Sequence, residues 1–419
     1  MTIIKNRVWL LKNSIVKWVG QKRFRRLYSS VEIDESKYNI SLYKKRKYPE
    51  TMFVHNQDVA RDAAKVICSH LDKQPDKQKT LTLIEANPGP CLLTNYIMKD
   101  TNYNMILYEN DCEIFREFLT DLKHKYHSRI HLSQGNLLLL WKIGFQDRMD
   151  QGDRVSKFLS SILPHSKPWN YKDPSVRIIA GLPNRKFLNY MVYSFTFQTG
   201  LMTYGRPEFY FFLPPSLFTR YSSEPLTGAK YYKTQTILFQ TFFEIEFLKN
   251  YPRSAFLPPK SIRSTNKKIR FKELKEADEK SISLIRVVGR RDIFDEKGLT
   301  QDLLKPYWYF VKHHTLSRKN FVIPLLEQWI PGCGPHFFAL GHTIFTQFGD
   351  LTPDQFLKVF LTFTRLPQFR ESPFLSSMEM RISKIDPYYS SNVINSSNSF
   401  PEDKTASEEL EDIIEKDED

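Results

Sequence analysis

Apolar and polar positions along the chain change period several times, and each change marks an element. In TMFVHNQDVARDAAKVICSHL (51–71), apolar residues fall at Val59, Ala63, Val66, Ile67 and Leu71. That spacing is one face of a helix, with Asn56 or Asp58 placed to cap its start. A short apolar run, Leu81 to Ile84, then leads through Glu85 to the turn Asn87-Pro88-Gly89-Pro90 and into another apolar-periodic stretch. The layout is strand, tight turn, helix. NMILYEND (104–111) repeats the strand signal and carries Glu109, twenty residues after Gly89. FREFLTDLKHKY (115–126) reads as the next helix, and RIHLSQGNLL (129–138) as a third strand turning at Gly135-Asn136. After a polar insertion around 145–175, SVRIIAGLPN (175–184) predicts a fourth strand broken by Pro183. Strands alternating with helical runs predict an α/β fold with a doubly wound, mostly parallel sheet.

Further along, EFYFFLPPSLFTRY (208–221) and KTQTILFQTFFEIEFL (233–248) are Phe-dense runs with β-strand character. SAFLPPKS and SISLIRVVGR carry strand signals on either side of a basic linker, 260–275. From about residue 300 the period turns helical. QDLLKPYWYFVKHH and NFVIPLLEQWI are apolar-periodic, and Thr352, Pro353 and Gln355 form a capping-box signature before a further helix. These changes divide the chain into an α/β part ending near 297, a small helical domain at 298–385, and a Ser/Asn-rich, then acidic tail at 386–419. The tail has little to bury and is expected to be disordered.

Composition adds a compartment and a class of partner. The 419 residues include 32 Phe and 21 Tyr but only 15 Gly, which excludes collagen-like and linker-rich chains. The cysteines Cys68, Cys91, Cys112 and Cys333 are scattered without a CxxC pair, so neither a disulfide framework nor a zinc cluster is expected. The first thirty residues hold eight Lys/Arg and no acid, and Ile4, Val8, Leu11, Ile15 and Trp18 form an apolar stripe. That combination fits a mitochondrial presequence, 1–28, cleaved after Arg26-Leu27-Tyr28, and so a protein of the mitochondrial matrix. No run of eighteen apolar residues is present, so no membrane-spanning helix is expected. Residues 402–419 carry ten acids against Lys404 and Lys416, which offsets the basic start. The net charge of +14 therefore belongs to the body, which should attract polyanions, nucleic acid first. Two basic runs are candidates for nucleic-acid contact: Tyr43, Lys44, Lys45, Arg46, Lys47 and Tyr48, and Lys267, Lys268 and Arg270.

In a doubly wound sheet, ligands bind beyond the carboxyl ends of the strands. Those ends carry Glu85, Asn87 and Gly89, then Glu109, then Gly135 and Asn136, then Gly181, Pro183 and Asn184. A glycine turn followed by an acid closing the second strand suits an adenosine ribose, whose two hydroxyls Glu109 could bind. The bland alternative is that strand ends carry Gly and Asn because turns need them. Both readings stay open on the residues alone. A nicotinamide oxidoreductase using the same turn is disfavoured, because no convincing acid for hydride transfer accompanies it.

The series of motifs resembles the adenine N6-dimethyltransferases of small-subunit rRNA and their mitochondrial offshoots, the transcription factors B. Phe53 in MFVHNQDVARDAAKVI matches the phenylalanine of the family's entry motif, and LIEANPGPCLLT is similar to its cofactor loop. LYEND corresponds to the strand with the ribose-binding acid, and GNLL to the third motif. Arg220, Pro225, Gly228 and Tyr232 continue the match, as does FLPPKS before the helical region. The resemblance implies a Rossmann-like class I S-adenosylmethionine methyltransferase fold over 29–297. It also implies cofactor contacts at Glu85, Asn87, Gly89, Glu109 and Asn136, and no metal.

The departures bear on activity. In working enzymes of the family, an Asn-Leu-Pro-Tyr-type fourth motif holds and stacks the target adenine. Here that motif reads Gly181, Leu182, Pro183, Asn184, Asn136 replaces the third motif's carboxylate, and Cys91 stands at a loop glycine. Losing one such orienting hydrogen bond costs about 10²–10³ in rate. No catalytic residue is therefore assigned, and S-adenosylmethionine is a permitted but not a required cofactor. For members with eroded motifs, the resemblance implies a monomeric mitochondrial transcription initiation factor. Its expected partners are the single-subunit mitochondrial RNA polymerase and the single strands of melted promoter DNA. The alternative is the mitochondrial rRNA adenine N6,N6-dimethyltransferase, with rRNA as partner.

Overall fold

A computed structural model describes residues 52–71, 82–110, 114–160, 166–181, 185–257 and 272–385. Residues 1–28, the two basic runs 43–48 and 267–270, residues 182–184 of the fourth motif and the tail at 386–419 lie outside the described residues.

The central sheet is built from β2 (Thr82–Ala86), β3 (Asn104–Glu109), β4 (Ile130–Gln134), β5 (Val176–Gly181), β6 (Pro207–Leu213), β7 (Phe243–Pro252) and β9 (Ser281–Gly289). A separate pair is formed by β1 (Phe53–Val54) and β8 (Phe256–Leu257). The sheet order is β4-β3-β2-β5-β6-β9-β7. The first five of these strands are mutually parallel, and β9 and β7 close the sheet antiparallel. This is the Rossmann-like methyltransferase sheet. Its order reverses between β2 and β5, so a crevice opens there above the carboxyl ends of the strands.

Both faces of the sheet are covered, and the strands show why. Side chains alternate between the faces with a period of two. Leu83, Ile179, Tyr210 and Phe212 enter one core, while Ile84, Ile178, Phe209 and Phe211 enter the other. The first core is covered by α1 (Gln57–Leu71), α2 (Leu92–Asp100) and α3 (Arg116–Lys125), which supply Val59, Ile67, Ile97 and Leu119. The second face carries α4 (Leu140–Asp150), α5 (Arg154–Ser160), α6 (Arg185–Thr196), α7 (Pro215–Ser222) and α8 (Thr234–Phe242). Each fully buried Phe contributes about 1.5–3 kcal/mol, and this face holds many. After α9 (Lys272–Lys280) and β9 come α10 (Leu304–His314), α11 (Val322–Trp329), α12 (Gly334–Phe338), α13 (Pro353–Thr364) and α14 (Pro373–Ile385). Their Tyr307, Phe310, Phe360 and Phe374 share one apolar cluster with Phe242 of α8.

Several local expectations change in the structure. The Phe-dense run at 233–248 is a helix as far as Phe242 and a strand only from Phe243. Thr236, Ile237, Leu238, Phe239, Thr241 and Phe242 are all buried, so this helix has no polar stripe to announce it. In 208–221, Pro214-Pro215 ends the strand at Leu213 and starts α7, with proline at a position where the missing N–H costs nothing. α4 runs into the polar insertion, which contains α5, and the basic linker runs into α9 at Lys272. The capping box before α13 forms as expected. The Thr352 hydroxyl accepts the Gln355 backbone N–H at 3.3 Å, and the Gln355 side-chain Oε1 accepts the Thr352 N–H at 2.9 Å.

One buried charge cluster braces the amino-terminal end of the sheet. Glu208 on β6 is fully buried and accepts from Arg177 on β5 at 3.1 Å and from Arg286 on β9 at 2.6 Å. Tyr210 donates its hydroxyl to the same carboxylate at 3.2 Å.

Candidate functional site

The loop between β2 and α2 is built from left-handed residues. Asn87 (φ 56°), Gly89 (φ 59°) and Cys91 (φ 58°) alternate with Pro88 and Pro90. Asn tolerates this region because its short side chain hydrogen-bonds locally, and Gly carries no Cβ to clash. Cys91 has neither advantage. It keeps the backbone shape of a glycine at a cost of about 1–2 kcal/mol. Its thiol donates to the Gly89 carbonyl at 3.3 Å, and burial pushes the thiol pKa well up, with Glu85 and Glu109 adding to the effect.

The structure brings Glu85, Asn87, Gly89, Glu109 and Asn136 together at the carboxyl ends of β2, β3 and β4, and four of them pair, Gly89 with Glu109 and Asn87 with Asn136. The Gly89 N–H donates to Glu109 Oε2 at 2.9 Å. Asn87 donates its amide Nδ2 to Asn136 Oδ1 at 3.0 Å, and Asn136 Oδ1 also accepts the Leu138 N–H at 3.0 Å. Glu85 Oε2 accepts the Thr94 hydroxyl at 2.6 Å. All five sit in the interior, and burial raises the Glu85 carboxyl from 4.5 to about 7, against the Thr94 hydrogen bond and helped by the Glu109 charge. The amide oxygen of Asn87 is left without a partner among the described residues. In this arrangement Glu109 steadies the loop through Gly89, and Asn136 holds Asn87 and starts the helical turn after β4.

At the end of β5 stands Gly181, the one residue of the fourth motif that the structure describes. A Cβ placed there would lie 2.0 Å from the backbone oxygen of Met52. A Cβ on Gly89 would lie 2.6 Å from Cγ of Phe53. Phe53 also packs edge-on against Phe115, with ring centroids 5.1 Å apart. Phe53 belongs by sequence to the entry motif, and the structure places both Met52 and Phe53 inside the crevice, which no local pattern signals. Thr94, nine residues after Glu85, was legible only as part of the motif match. The remaining cavity, lined by Met52, Phe53, Glu85, Asn87, Gly181 and Phe256 among others, measures about 20 Å³. That is room for about one water, whereas a cofactor-sized molecule needs a pocket of about 300 Å³ or more. The adenosyl cofactor therefore does not fit the crevice in this conformation, although the residues expected to hold it are gathered there.

A second hollow lies on the outer face of α1, α2 and α3. It measures about 520 Å³ and is lined by Arg61, Lys65, Asn95, Tyr96, Lys99, Asp100 and Lys125. Four cations face one carboxylate here, with the Arg61 guanidinium 5.2 Å from the centre of the Tyr96 ring. Among the described residues, no cluster of three or more His, Cys, Asp or Glu is placed to hold a metal ion. No described helix is long and apolar enough to cross a membrane.

Known proteins resemble this chain in sequence. The description of the ribosomal RNA adenine dimethylase family matches residues 42–286, more than half of the chain. A Drosophila melanogaster protein named dimethyladenosine transferase 2, mitochondrial, is 27% identical over 412 residues, covering 90% of this chain and 89% of the relative. A solved dimethyladenosine transferase from Plasmodium falciparum is 14% identical with a TM-score of 0.45, covering 75% of this chain and 98% of its own. A geranyl diphosphate C-methyltransferase from Streptomyces coelicolor is 10% identical with a TM-score of 0.29, covering 64% and 89%.

Proposed function

We propose that this chain, which belongs to the ribosomal RNA adenine dimethylase family, works as a mitochondrial transcription initiation factor. It partners the single-subunit mitochondrial RNA polymerase and helps to melt promoter DNA, on a scaffold that no longer transfers methyl groups. One observation carries the reading. Where a working enzyme would present an amide to the target adenine, Gly181 has no side chain, and the Met52 carbonyl fills the space one would need. With the crevice reduced to about 20 Å³, S-adenosylmethionine has no room to bind in this conformation.

Charge supports a nucleic-acid partner. The body carries the +14, and the hollow beside Arg61, Lys65, Lys99 and Lys125 offers phosphate contacts next to Tyr96, on which a base can stack. The runs at 43–48 and 267–270 add basic and aromatic residues of the same kind. The mitochondrial matrix is supported by the basic, acid-free first thirty residues, and the mitochondrial name of the Drosophila relative favours the same organelle. The chain is taken to act as a monomer, with no membrane and no metal.

A second reading, rRNA adenine N6,N6-dimethyltransferase, is favoured by the family match and by the relative's printed name. Runoff transcription separates the two. Purified chain added to its cognate mitochondrial polymerase on linear promoter DNA should make synthesis promoter-dependent. If the polymerase initiates equally with and without the chain, the transcription reading fails.

A further inference from the structure

We propose that the strand Met52–Val54 is a built-in plug of the cofactor crevice, and that Gly181 is the residue that lets it seat. The inference concerns the crevice itself and holds whether or not the chain acts in transcription.

The plug is positioned from both ends. On one side β1 pairs antiparallel with β8, Phe53 opposite Leu257 and Val54 opposite Phe256. The His55 N–H continues the attachment by donating to the Ala255 carbonyl at 3.0 Å, and the His55 ring reaches the Ser254 carbonyl at 2.9 Å. On the other side the Asn56 side chain accepts the Val59 N–H at 3.0 Å and fixes the start of α1. Met52, Phe53 and Val54 are all buried, in one apolar cluster with Leu93, Phe115, Phe212 and Phe256.

The contacts of the plug are unforgiving at two glycines. At Gly181 the neighbour is a backbone oxygen, which cannot rotate aside as a side chain can. Any Cβ at 181, that of the family's asparagine included, starts 2.0 Å from it and must push the strand away. At Gly89 the Phe53 ring covers the loop backbone that an adenosyl ligand would approach, 2.6 Å from where a Cβ would stand. The orphaned oxygen of Asn87 borders the sliver of space that remains. Glycine at 181 is thus more than a lost amide. It is the steric condition for the chain's own backbone to occupy the crevice, so the seated plug and a side chain at 181 exclude each other. The seated plug and a bound adenosyl group exclude each other for the same reason, lack of volume.

Hydrogen exchange read by mass spectrometry on the full chain tests this. Wild type, Gly181→Ala and the control Val192→Ala, a truncation on α6 in the other core, are compared. In wild type, peptides covering 52–57 and 254–257 should exchange slowly. Gly181→Ala should speed them by about tenfold or more relative to α6, and Val192→Ala should not. Exchange at 52–57 that Gly181→Ala leaves unchanged would overturn the proposal. A second arm uses wild type alone, and so stands even if Gly181→Ala does not fold. Millimolar S-adenosylhomocysteine should either give no protection at 83–95, or protect 83–95 only while deprotecting 52–57. Protection of 83–95 with 52–57 still slow would mean that plug and ligand coexist, and the proposal would be wrong.

Discussion

Glu85→Gln is the substitution whose consequence follows most directly from the geometry. Glu85 is only 4% exposed, and its carboxylate accepts the Thr94 hydroxyl at 2.6 Å. Burial lifts its carboxyl from 4.5 to about 7 in the folded chain. The folded state therefore holds this proton more tightly than the unfolded state. The stability it contributes is full below pH 4.5 and is lost as pH rises through 7. Over that shift, linkage gives a loss of about 2.5 kcal/mol between pH 5 and pH 8. Glutamine keeps an oxygen to accept from Thr94 and has no proton to lose, so the loss should vanish. Urea unfolding of both proteins at pH 5 and pH 8 measures it. The stability of Glu85→Gln relative to wild type should rise by about 2.5 kcal/mol from the lower to the higher pH. A difference that stays constant across that range would refute the view that a buried carboxyl is held neutral in the crevice.

Other substitutions test the frame and the basic hollow. Glu208→Gln should destabilise the chain by about 3–5 kcal/mol in chemical unfolding, because it leaves Arg177 and Arg286 facing each other without their shared anion. A loss under 1 kcal/mol would mean that the triad does not brace the sheet. Lys65→Ala and Lys99→Ala should weaken single-strand binding and flatten its dependence of log K on log salt by about 0.7 for each lysine removed. An unchanged slope would remove the hollow from the nucleic-acid surface.

The parts of the fold that sequence foretold are those where polarity changes over a few residues. Leu81 to Ile84 followed by Glu85 and the Asn-Pro-Gly-Pro turn marks a strand end because a buried strand cannot continue through such residues. The capping box at Thr352 is a local device and so was legible locally. By contrast, the helix 234–242 hid behind Phe and Thr, which favour strands, and tertiary packing on all sides overrode that preference. The site divides along the same line. Glu85, Asn87, Gly89, Glu109 and Asn136 were found because strand ends converge in a parallel sheet. Their pairing with one another, and the contact of Met52 with Gly181, join positions 20 to 129 residues apart that no local pattern links. Sequence showed that glycine replaces asparagine at 181, but only the packing shows what the glycine admits.

The proposed role requires that this methyltransferase scaffold no longer methylates. The direct measurement is methyl incorporation from labelled S-adenosylmethionine into small-subunit rRNA by the purified chain, counted per molecule of protein. A scaffold that no longer methylates transfers less than one methyl group per chain, however long the incubation. Dimethyladenosine accumulating through many turnovers would contradict it.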